Sequence, residues 1–134
     1  MKSEMSSRGA RTKHGYVTTD EYALDHFNSE AKVLIGLNGN HSLPDYAHTP
    51  GAFYIKEYYD GSFRELRAYD SQDGHMTLEI GYHPEPRITN GNRQTKVLHF
   101  HLYDEHLKRD DAVLLTHDDP IYKRFKKYLE VYGL

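Results

Sequence analysis

The sequence contains no cysteine and no tryptophan. A disulfide framework and a thiolate zinc site are therefore both closed to it, and the lack of cysteine fits a reducing, cytoplasmic setting. No run is long and apolar enough to span a bilayer, so no membrane partner is expected. Net charge is also scarce, at −3 over 134 residues. Such a chain is no general polyanion binder by bulk charge, and any contact with nucleic acid needs a local basic patch. The opening "MKSEMSSRGARTKHG" has no apolar stretch behind its charges, so it is not a secretory signal. Residues 1–15 read as a flexible N-terminal arm, and residues 16–134 as one domain with a single modest core.

What the sequence has in excess is tyrosine, twelve residues, and histidine, ten. Thr18 and Glu21 match a capping box, and Tyr22, Leu24 and Phe27 then predict an N-terminal helix. "KVLIGL" reads as a buried strand. Residues 38–51, "NGNHSLPDYAHTPG", are rich in turn formers; a loop of that length is functional or mobile, and with His41 and His48 it is a candidate cover for a polar face. The middle of the chain alternates. "FYIKEYY" meets Asp60-Gly61, a two-residue hairpin signal. "FRELRAYD", "HMTLEIGY" and "TKVLHFHLY" follow. At the end, Asp119 is a candidate N-cap, Pro120 suits a first turn, and Ile121, Phe125, Tyr128, Leu129 and Tyr132 mark one helical face. The expected fold is α+β: an antiparallel β-meander of about four to five strands, with N- and C-terminal helices packed on one face.

Alternation fixes the register. Lys56 pairs with Glu65, Ile55 with Leu66 and Phe53 with Ala68. An odd-length loop with a left-handed Gly74 pairs Arg67 with Glu79 and Leu66 with Ile80, because a slip of one residue would scramble the faces. One face then carries Phe53, Ile55, Leu66, Ala68, Leu78, Ile80, Leu98, Phe100 and Leu102. The other carries Tyr54, Lys56, Glu65, Arg67, Tyr69, Thr77, Glu79, His99 and His101, with His83 of the same parity.

The segment "VLHFHLYDEH" places His99 and His101 two residues apart, so both rings project to one side of a strand. A polar strand face that happens to be histidine accounts for such a pair about as well as function does. Two kinds of chemistry suit it. In the first, the two imidazoles are the base and acid of metal-independent RNA cleavage. Arg67 contacts phosphate, with Lys56 and Arg93 as further cations, and His83 assists or orients. Tyr54 and Tyr69 stack bases, while Glu79 tunes an imidazole through a hydrogen bond. No metal and no cofactor is needed. In the second, His99 and His101 hold a divalent metal, completed by His83 or Glu79; Arg67 on the same face weighs against it. A third reading is a non-enzymatic interaction or inhibitor protein with a tyrosine-rich binding surface. The expected partner is RNA or a host protein.

The order "FRELRAYDSQDG…LEIGYHPEP…VLHFHLYD" resembles a group of small domains in Firmicutes and their phages, some fused behind phage head or secreted toxin proteins. Their pattern is an R-x-Y-D turn, a strand ending near a histidine, and a strand with a PHxHxW-like signature. The likeness covers residues 53–104, with Arg67, Tyr69, Asp70, Gly74, His83, His99 and His101 on the marked positions. Leu98 stands where proline is usual, and Tyr103 where tryptophan is usual. The resemblance implies a small α+β domain of the kind used by metal-independent RNase toxins, phage- or mobile-element-encoded.

Overall fold

The computed structural model describes residues 11–12, 15–16, 22–37, 42–47, 49 and 51–134. Thr18, Glu21, His41 and His48 lie outside them. Strands β1 (Arg11–Thr12) and β2 (Gly15–Tyr16) form a separate antiparallel ribbon, within what the sequence presents largely as an arm. The main body is a seven-stranded sheet in chain order: β3 (Tyr22–Asn28), β4 (Ala31–Gly36), β5 (Phe53–Glu57), β6 (Phe63–Tyr69), β7 (Met76–Pro84), β8 (Lys96–Leu102) and β9 (Val113–Leu114). Helix α1 (Pro120–Glu130) follows. Among the described residues, no helix is long and apolar enough to cross a membrane.

The expected registers of β5–β6 and β6–β7 are present, including Lys56↔Glu65, Arg67↔Glu79 and Leu66↔Ile80. The turns that deliver them differ in detail. The first loop holds three residues, Tyr59 to Gly61, closed by Tyr58 N–H to Ser62 C=O at 2.8 Å, and a bulge after Lys56 restores the pairing. The second holds four, with Gly74 left-handed at φ +79°, and an irregularity next to Tyr69 restores the parity. Gly74 is further constrained: a Cβ there would lie 2.8 Å from the Ala47 carbonyl oxygen.

Three expectations need correction. The segment from Tyr22 is a strand, not a helix. A bulge between Leu24 and His26 breaks its period of two, and the resulting apolar spacing imitates a helical stripe. Ser29, at φ +56°, then closes a tight hairpin into β4. The sheet also has seven strands rather than four to five and is not wholly antiparallel, because β4 and β5 run parallel through Lys32↔Tyr54 and Val33↔Ile55. The crossover between them contains the turn-rich loop. Finally, Leu102 is exposed rather than in the core, since its strand has reached the sheet's end.

The apolar face packs on α1 as expected. Ile55, Leu66, Ala68, Leu78, Ile80 and Phe100 meet Tyr122, Phe125, Tyr128 and Leu129. Asp119 caps the helix by accepting from Ile121 N–H at 2.8 Å, and Pro120 opens its first turn. Phe125 is fully buried and meets Phe53 edge-on at 5.4 Å. Burying a side chain of this size stabilises the fold by about 1.5–3 kcal/mol.

Candidate functional site

The second face of the sheet holds the residues that parity assigned to it, but its centre is buried rather than open, with Lys56, Thr77 and His83 half-buried around it. The crossover loop lies over it. Leu43 joins Tyr22, Leu34, Tyr54, Tyr69 and Met76 in a second apolar cluster. Tyr69 donates its hydroxyl to the Pro44 carbonyl at 2.6 Å. Main-chain bonds from Ala47 N–H to Gly74 C=O and from Met76 N–H to Asp45 C=O, both 2.8 Å, stitch the loop to the β6–β7 turn. Tyr54 and Tyr69 are buried beneath this loop, each 4% exposed, so neither ring offers a free face for a base to stack on.

Arg67 is likewise committed to the fold. Its Nη2 lies 2.9 Å from Glu79 Oε2 and its Nε donates to the same oxygen at 3.0 Å, while Nη1 donates to the Leu43 carbonyl and faces Asp45. A guanidinium so occupied does not contact a phosphate. Its Nε is also 3.2 Å from Glu65 Oε2, yet that oxygen has no hydrogen bond of good geometry, because the N–H points to Glu79. Burial pushes the Glu65 carboxyl up to about 7, and the Glu79 carboxylate beside it adds to the rise. At Glu79 burial pushes upward, but Arg67 outweighs it and holds the group below the usual carboxylate range. The consistent state is one proton held between the two carboxyl groups, on the Glu65 side. Tyr103 adds a hydroxyl 3.4 Å from Glu79 Oε1.

Lys56 sits half-buried across from Glu65, its ammonium held below the usual lysine range by burial and by Arg64. Arg93 is exposed on the β7–β8 connection. Neither is brought to the histidines by any contact among the described residues.

The histidines do come together. His99 and His101 on β8 pair with Gly81 and Glu79 on β7, and His83 continues the same side. The His83 and His99 rings meet at 4.6 Å and the His99 and His101 rings at 5.6 Å, each at 89°. His99 is 0% exposed and His101 5%. Each ring has one nitrogen on a main-chain carbonyl: Nδ1 of His83 on Pro84 at 3.0 Å, of His99 on Val97 at 2.9 Å, and of His101 on Asp110 at 2.9 Å. A carbonyl only accepts, so Nδ1 carries the proton in all three and each neutral ring presents a bare Nε2. Burial, with His83 and His101 nearby, holds the His99 imidazole below its usual range.

Gly81 makes the room. A Cβ at that position would lie 2.9 Å from His83 Nε2 and 3.1 Å from His99 Nε2, so those two atoms are no more than about 6 Å apart. The acid that completes the cluster is Glu85, not Glu79. Glu85, His99 and His101 each offer a ligand atom within 4.8 Å of the others. Glu85 was legible: residues 79, 81, 83 and 85 share one parity, but two prolines made the segment look like a strand's end only. A tight turn then holds Glu85 in place, its carbonyl accepting from Ile88 N–H at 2.9 Å and Thr89 N–H at 3.2 Å.

Comparison with protein-family models, with curated proteins and with solved structures gave no match to this chain.

Proposed function

We propose that the chain is a ribonuclease-like phosphodiester-cleaving protein, with the cluster of His83, His99, His101 and Glu85 as its reaction centre. One observation carries this reading: three imidazoles, each locked into one tautomer by a main-chain carbonyl, stand in edge-to-face contact in a row, with the Nε2 atoms of His83 and His99 both over Gly81. Pre-set bases of this kind suit proton transfer near neutral pH. The resemblance of residues 53–104 to RNase-toxin-type domains points the same way.

The roles shift from the expected His99/His101 pair. His99 is sealed from solvent and packs edge-on between His83 and His101. His83 and Glu85, only half-buried, are the groups a substrate reaches, and His101 stands behind them. In the cleavage step a base takes the proton of the ribose 2′-hydroxyl. The 2′-oxygen attacks phosphorus, the bond to the 5′-oxygen breaks, and an acid protonates that leaving oxygen. The interaction-protein reading is weakened, because Tyr22, Tyr54, Tyr69, Tyr122 and Tyr128 are buried, although Tyr46 and Tyr59 are exposed.

The test is cleavage of total RNA by the purified chain, with and without EDTA, beside His83→Ala and His101→Ala variants. Cleavage by the wild type that is lost in both variants is expected. A folded wild type that leaves RNA intact, or variants that cleave equally well, would sink the reading.

A further inference from the structure

We infer that Glu85, His99 and His101 form a site for one borderline divalent transition-metal ion of the zinc class, which leaves His83 outside the ligand set. The proposal shares the histidine cluster with the phosphodiesterase reading but stands on separate grounds.

The donor set is imidazole nitrogen plus carboxylate oxygen, which suits zinc and its neighbours rather than magnesium or calcium. The surroundings of each ligand fit as well. Metal-bound histidines almost always give their other N–H to a carbonyl or carboxylate, fixing tautomer and ring direction. Here both ligand histidines do so, His99 on the carbonyl of Val97 and His101 on that of Asp110.

The independent observation is His99 Nε2. It is a buried acceptor with no hydrogen-bond partner among the described residues. Leaving such a group unsatisfied costs about 1–3 kcal/mol. Glu85 does not supply the partner, since its carboxylate oxygen lies 4.0 Å away, beyond hydrogen-bond range. Two donors in a tetrahedral zinc shell, each about 2.0–2.1 Å from the metal, sit roughly 3.4 Å apart. A closure of well under 1 Å by Glu85, on a surface turn, therefore converts 4.0 Å into ligand spacing. The objection raised by Arg67 also lifts, because Glu79 and Asp45 already pair with its charge.

Two other groupings of acids and histidine lack this signature. His26 has Nδ1 on Asp25 at 2.7 Å and Nε2 on Glu57 at 3.3 Å, so both ring nitrogens are taken. Asp70, Asp73 and His75 satisfy one another and the main chain of their turn. They serve as internal controls.

The experiment uses the untagged full chain, stripped with chelator. Zn²⁺ is titrated in competition with a chromophoric chelator, and Co²⁺ is titrated while its visible d–d absorption is followed. One ion per chain is expected, with Co²⁺ bands of the intensity that four- or five-coordination gives. His101→Ala and Glu85→Gln should weaken binding by more than the roughly 10–100-fold that loss of an outer-shell partner costs. His26→Ala and Asp73→Asn should leave it unchanged. Circular dichroism confirms that each variant is folded; Glu85→Gln, on a surface turn, keeps the test valid if a histidine variant is not. A folded wild type that takes up no ion, or a Glu85→Gln variant that binds as well as wild type, overturns the site. Binding without RNA cleavage keeps the site and sinks the phosphodiesterase reading; RNA cleavage by a folded chain that takes up no ion does the reverse.

Discussion

The two faces of this sheet are both buried at their centres, and they are held by different physics. The face under α1 is a stack of Ile, Leu, Ala, Val, Phe and Tyr around Phe125. Its attraction is non-directional and grows with apolar area, so an apolar side chain of similar volume serves. The opposite face carries Arg67 between two carboxylates, three histidines with assigned tautomers, and tyrosines bonded to a crossover loop. There each group depends on a named partner. A buried ionic cluster adds little net stability when complete and much instability when broken. The first face thus tolerates replacement, whereas the second specifies one arrangement and is the place to look for chemistry.

The sharpest way to break this contrast is to remove one keystone from each face. Arg67→Ala strands Glu65 and Glu79 and releases the crossover loop at Leu43. A loss of about 3–5 kcal/mol is expected in urea denaturation. Phe125→Ala should cost a similar amount, about 3–5 kcal/mol, through the cavity it leaves. Conservative replacements separate them. Phe125→Leu should recover most of the loss, because shape and apolarity suffice. Arg67→Lys should recover little, since one ammonium does not reproduce the fork that reaches Glu79, Glu65 and Leu43 together. Equal rescue on both faces would refute the contrast.

How much of this was legible follows from the range of the interactions. Parity along β5, β6, β7 and β8 sets which residues share a face, so the pairing of Arg67 with Glu79 and the grouping of His83, His99 and His101 were within reach. Helix α1 announced itself through Asp119, Pro120 and its apolar stripe. Whether a polar face is open was not local information. It depends on a crossover that brings Leu43 and Pro44 onto Tyr69 and Arg67, across a parallel pairing that alternation does not encode. The β3 bulge defeated a periodicity reading for the same reason: a strand with one extra residue has no period of its own. Glu85 was hidden by its prolines, although its parity pointed to the histidines.

A smaller effect sharpens the picture of the ionic face. Glu65 titrates near its ordinary 4.5 in the unfolded chain and at about 7 when folded. Between those values the folded chain binds more protons than the unfolded one, so stability falls as pH rises through that window. The full cost, on the order of 3 kcal/mol, is reached above it, and the lowered Glu79 partly offsets it. His99 acts with the opposite sign: its ring is held neutral, so acidification below the ordinary histidine range destabilises the fold. Comparing Glu65→Gln with wild type at each pH cancels the histidine contribution. The variant should match wild type near pH 5 and exceed it by about 1–3 kcal/mol at pH 8. A constant difference across that range would mean that Glu65 keeps no extra proton.

The smallest expected change in stability falls where the site is most sensitive. Gly81→Ala puts a methyl group against the Nε2 atoms of His83 and His99, at 2.9 Å and 3.1 Å. His83 is half-buried and at the end of its strand, so its ring turns aside at modest cost. A methyl group in a filled space costs about 1–3 kcal/mol when nothing yields, and the low end of that range is expected here. His99 has no such freedom, being enclosed on β8. The methyl group therefore occupies the space into which the basic nitrogens point. Denaturation should register about 1 kcal/mol, while RNA cleavage and Zn²⁺ uptake should fall together. Loss of stability with both activities intact would show that the gap at Gly81 serves packing alone.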